Sequence, residues 1–78
     1  MNYDLALMAL EGLAKSPMRV STEAGEIVIE GSPASFKELA RLCLLLGGAH
    51  LQEEVELKPG VHVVASSHAL RLRVASAG

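Results

Sequence analysis

The sequence predicts an α+β domain: a two-layer sandwich of two helices on a mainly antiparallel sheet, in the order α-β-β-α-β-β-β. Three observations carry this. Ile27 to Gly48 reads as a complete β–α unit, with an alternating strand, a Gly-Ser-Pro corner and an amphipathic helix. The residues after it alternate in polarity and break at turn signals. The first fifteen residues are rich in helix formers and end at a Ser-Pro stop. Helices beside an antiparallel sheet define this class. With 78 residues, the whole chain, 1–78, is one domain.

The elements follow in order. Asp4 to Lys15 is rich in Leu, Ala, Met and Glu and stops at Ser16-Pro17, so it forms a helix. Leu5, Met8, Ala9, Gly12 and Leu13 share one face, while Leu7, Leu10 and Ala14 lie on the others. A helix apolar nearly all round is buried on more than one side. Met18 to Glu23 and Glu26 to Glu30 alternate about Ala24-Gly25, which predicts a short hairpin with a bulge. Ser32 is placed to cap the second helix and Pro33 to begin it. Phe36, Leu39, Ala40, Cys43 and Leu46 mark its expected core stripe, Leu45 falls on its wet face, and Gly47-Gly48 ends it. Glu53 to Leu57 forms a strand, Lys58-Pro59-Gly60 a turn, Val61 to Ala65 a second strand and Ala69 to Ala75 a third. The helix stripe is expected to pack on Val20, Ile27, Ile29, Val55, Leu72 and Val74.

Half of the residues are hydrophobic, yet there is one Phe, one Tyr and no Trp, so the core must be aliphatic. A chain this short sits near the lower limit for a stable single core. It has neither a disulfide pair nor an evident metal cage in compensation. Self-association is the expected remedy, giving a homodimer through the first helix. Leu7 and Leu10 are the expected outward residues, and Leu45 extends their patch.

A net charge of −2 argues against nucleic acid as a partner. The start of the chain lacks a basic leader, and its apolar run falls short of the roughly 20 residues that span a bilayer. The expectation is a cytoplasmic protein with no membrane partner. Cys43, flanked by Leu42 and Leu44, reads as a buried thiol and not as a nucleophile. His50, His62 and His68 lie twelve and six residues apart, which matches no helix-face pair and no finger pattern. No metal, cofactor or catalytic residue is assigned. Glu53, Glu54 and Glu56 form the clearest charge feature. They are a solvated strand face paired with Arg71 and Arg73, an acidic edge for a basic protein partner, or, least favoured because so small a core leaves little room for a pocket, a paired-carboxylate catalytic site.

The run Ile27-Val28-Ile29-Glu30-Gly31-Ser32-Pro33, followed by Phe36, Leu39 and Ala40, resembles the opening of small immunity proteins from bacterial polymorphic-toxin systems. His50-Leu51 and Leu70 to Val74 correspond to later strands of that pattern. The chain differs in its additional apolar N-terminal helix and in lacking a strongly acidic surface. The resemblance implies a non-catalytic protein that binds and occludes a partner. The alternative is a small homodimeric enzyme or ligand-binding protein of unknown substrate, which would need a polar cavity holding several of the histidines and glutamates.

Overall fold

A computed structural model describes residues 2–48 and 54–75. It contains helix α1 (Asn2–Lys15), strands β1 (Arg19–Glu23) and β2 (Glu26–Glu30), helix α2 (Pro33–Gly47), and strands β3 (Glu54–Leu57) and β4 (Leu70–Arg73). The α+β class and the antiparallel pairing are as expected. The strands make two ribbons, β1–β2 and β3–β4, where one sheet was expected.

The expected strand over Val61 to Ala65 is absent, and the reason is local. Val61, His62 and Val63 all donate their N–H groups to the Lys58 carbonyl, at 3.1, 3.0 and 3.3 Å. Gly60 supplies a φ of +80°, which a β-branched residue could not. The run therefore coils into a turn, and only Val63 forms bridges, to Met18 and Pro59.

This coil lies along the free edge of β1. Met18 N–H donates to His62 O at 3.2 Å, Val64 N–H to Met18 O at 2.8 Å, and His68 N–H to Val20 O at 2.9 Å. The Ser67 hydroxyl accepts Val20 N–H at 2.6 Å, standing in for a backbone carbonyl. β1 thus has a hydrogen-bonded neighbour on each side without a regular third strand.

The β1–β2 hairpin closes tightly. Glu23 pairs directly with Glu26, and the two residues between, Ala24 and Gly25, have φ of +50° and +81°. That is a two-residue type I′ turn, with no bulge, whose twist suits the flanking strands.

α2 begins as expected. Ser32 Oγ accepts Ser35 N–H at 3.1 Å, and Pro33 follows. Its end differs in detail. Gly48 donates to Leu44 O at 2.9 Å but has φ of −89°, so no left-handed cap forms.

Both helices present a different face from the one expected. On α1 the buried row is Ala6, Ala9 and Leu13, with Leu10 packed against it, while Leu5, Leu7 and Met8 are exposed. On α2, Ser35 and Leu42 are fully buried and Leu39 and Leu45 pack against the core; Phe36, Ala40 and Cys43 are exposed. The helices pack on each other, and polar ties set their rotation. Ser35 Oγ donates to Ser16 O at 2.6 Å, joining the start of α2 to the end of α1. The Glu38 side chain lies over Gly12, where a Cβ would come within 2.6 Å of its Cδ. Alanine and glycine on α1 permit this close approach, and Leu5, Leu7 and Met8 are turned outward.

The core comprises Ala6, Ala9, Leu13, Met18, Val20, Leu42, Leu57 and Val63, with Leu10, Leu39, Leu45, Val55 and Leu70 around it. Of the expected sheet face, Val20 and Val55 take part. Ile27 is 75% exposed, and Ile29 and Val74 are exposed as well. The molecule is a slab of 35 × 32 × 19 Å.

Candidate functional site

The residues singled out from sequence separate into two groups. Glu54 and Glu56 are exposed on β3, opposite Arg73 and Arg71 of β4. Arg73 Nε lies 2.8 Å from Glu54 Oε1, Arg71 Nε 3.2 Å from Glu54 Oε2, and Arg71 Nη2 4.0 Å from Glu56 Oε2. These carboxylates are engaged within their own ribbon. Exposed pairs of this kind contribute about 0–1 kcal/mol. Glu53 and His50 lie outside the described residues.

His62 sits in the Lys58–Val63 turn and not in a strand. Its Nδ1 accepts the Lys58 N–H at 3.2 Å. Burial, and secondarily the Lys58 charge, hold its pKa below the usual histidine value. His68 is exposed. Among the described residues, no three His, Cys, Asp or Glu side chains converge as metal ligands. Cys43 is exposed, contrary to expectation, because α2 is rotated. It borders a shallow depression of about 520 Å³ shared with Leu46, Arg71, Leu72, Arg73 and Val74.

The apolar residues have a more distinct arrangement. Leu5 and Met8 of α1 face Leu44 and Leu45 of α2 across a groove of about 260 Å³, with Arg41 at its side. Leu5 is 50%, Met8 55% and Leu44 75% exposed. Arg41 Nη1 is 3.0 Å from Glu38 Oε1, an ion pair without hydrogen-bond geometry. The groove wall is therefore aliphatic, with one charge already paired. Among the described residues that line it, Leu5, Met8, Arg41, Leu44 and Leu45, there is no nucleophile and no acid–base couple.

Of the three residues expected at a self-association surface, Leu45 lines this groove while also touching the core, and Leu7 is exposed on α1. Leu10 is corrected: it is half-buried and packs inward. Sequence reasoning missed Leu5, Met8 and Leu44. The all-round apolarity of α1 gave no unique inner face, and the face of α2 was misjudged by about one residue.

Among the described residues, no helix is long and apolar enough to cross a membrane. Compared with known proteins, the chain matches no family model, no curated sequence and no solved structure.

Proposed function

We propose that this chain is a non-catalytic protein-interaction module, and that it forms a homodimer through the apolar groove between α1 and α2. The observation that carries the reading is the row of large aliphatic side chains, Leu5, Met8 and Leu44, left half or more exposed along one groove. Contiguous apolar surface of this kind marks interaction sites on small soluble domains.

The groove is lined by aliphatic side chains and its one charge is already paired with Glu38, so a second copy of the same groove suits it as occupant. A two-fold pairing lets the same groove meet itself. Occlusion of a target protein, as in the immunity proteins the chain resembles, is then the work of the surface that remains outside the dimer.

Sedimentation of the wild type at ~100 μM tests this, since a low-micromolar dimer is mostly assembled there. The expected result is a dimer, converted to a folded monomer by Leu44→Glu or Met8→Glu. Leu7→Glu should weaken it less. A wild-type monomer at that concentration overturns the reading.

A further inference from the structure

Among the described residues, the β1–β2 ribbon has one strand edge without a partner. Val20 N–H bonds to Ser67 and Val20 C=O accepts from His68, so both backbone groups of Val20 face away from β2. Its partner in the register is Ile29. In an antiparallel pair, when one residue of an opposed couple turns its N–H and C=O outward, so does the other. Ile29 therefore points its backbone groups away from β1. Ile27, two residues earlier and opposite Thr22, does the same. β2 has β1 as its neighbour, and no described strand pairs with its other edge.

The side chains along this edge form an ordered set. Ile27 and Ile29 share the sheet face of Val20, a core residue, and are 75% and 36% exposed. Glu26 and Glu30 are exposed on the opposite face at the two ends of the strand. Glu26 stands beside Glu23, so two carboxylates occupy one cross-strand row, while at the other end Glu30 stands beside Arg19; the Glu26 end is therefore the more acidic of the two. Natural edges carry charges that deter indiscriminate pairing, and such charges also select which strand is admitted.

We propose that the β2 edge is a docking site for an extended basic–aliphatic segment of another protein, added as a third strand to the β1–β2 ribbon. The segment reads basic, aliphatic, any residue, aliphatic, basic. Its aliphatic pair lies beside Ile27 and Ile29, and its cations lie opposite Glu26 and Glu30. Main-chain hydrogen bonds to Ile27 and Ile29 supply affinity and the alternating side chains supply selectivity, as in other strand-addition complexes. Charge decides against a second copy here. Glu-Ile-Val-Ile-Glu reads the same in both directions, so the two-fold pairing centred on Val28, which matches all five residues of the strand, would set glutamates of the two copies opposite one another at both ends. Like charges directly opposed are destabilising. The site uses none of the groove residues, and a monomer would present it equally.

The test uses the full chain labelled with ¹⁵N and two synthetic peptides, Thr-Lys-Val-Thr-Val-Lys-Thr and its analogue with Glu in place of Lys. The expected result is binding of the basic peptide with slowed amide exchange at Ile27 and Ile29. Binding should weaken with added salt and be at least fivefold weaker for the acidic peptide. Glu26→Lys with Glu30→Lys should reverse the preference between peptides. Ile27→Pro removes one outward donor without touching the ladder to β1, and should weaken binding while the remaining hairpin amides keep their protection. The proposal is overturned if neither peptide binds at ~1 mM, a level that would reveal even millimolar affinity. It is equally overturned if both bind alike, if the perturbed amides lie along the α1–α2 groove, or if Ile27 and Ile29 are already protected in a peptide-free dimer.

Discussion

Ser67→Ala tests the account of how β1 is held. Ser67 is 9% exposed and Val20 is 5% exposed, so their contact is shielded from water. Val20 N–H donates to Ser67 Oγ at 2.6 Å, and the hydroxyl proton lies within reach of Val20 O (3.1 Å) and His68 O (3.0 Å). Alanine removes the acceptor and leaves a buried amide without a partner. Such an orphan costs about 1–3 kcal/mol. For a domain this size, each kcal/mol moves the melting midpoint by about 4–8 °C. The expected drop is therefore roughly 5–20 °C. Exchange of the Val20 amide should accelerate about tenfold for each 1.4 kcal/mol lost. Thermal melts by circular dichroism and amide exchange by NMR read the two effects. Ser66→Ala, at an exposed neighbour, is the control and should change stability by less than about 0.5 kcal/mol. A Ser67→Ala midpoint equal to wild type, with Val20 exchange unchanged, would refute the reasoning.

The other predictions concern the helices, the turn and the histidine. Leu42→Ala, at a fully buried position, should cost about 2–5 kcal/mol. Phe36→Ala, at a side chain 43% exposed, should cost less, and urea titration that ranks them in reverse would restore the expected helix face. Gly12→Ala should destabilise the wild type because its Cβ meets the Glu38 side chain. In a Glu38→Ala background the same change should stabilise by about 0.5–1 kcal/mol, the ordinary gain of alanine over glycine in a helix. Ala24→Asn puts the preferred residue at the first positive-φ position of the type I′ turn and should raise the melting midpoint by about 3–8 °C. The lowered pKa of His62 means that the unfolded chain takes up its proton first. Its contribution to stability is therefore whole above the unfolded value of 6.5, declines as pH falls through 6.5 and the lower folded pKa, and then levels off. Urea midpoints between pH 8 and 5 should show this slope in the wild type and lose part of it in His62→Gln.

The local punctuation of this fold was legible in its residues. Ser32-Pro33 starts α2, Ser16-Pro17 ends α1, and Ala24-Gly25 and Pro59-Gly60 turn the chain, because capping and backbone dihedrals depend on near neighbours. The pairing of Glu54 and Glu56 with Arg73 and Arg71 was readable for the same reason: two alternating strands bring opposite charges into register. The sequence by itself thus determined the α+β class, the positions of the helices and the hairpin, and an excess of aliphatic side chains over what a small core can hold. Only the tertiary structure decided which of those side chains are left over. The faces of α1 and α2 depend on Ser35 reaching Ser16 and on Glu38 settling over Gly12, both contacts between residues distant in sequence. Those contacts turn Leu5, Met8 and Leu44 outward and bury Ala6, Ala9 and Leu42. Likewise Val61 to Ala65 has the residues of a strand, but the N–H groups of Val61, His62 and Val63 converge on the Lys58 carbonyl and Ser67 takes the place of a strand beside Val20. Periodicity reports that a segment has an apolar side; which side faces the core is set by the partner that approaches it, and that partner is fixed only once the whole chain has folded.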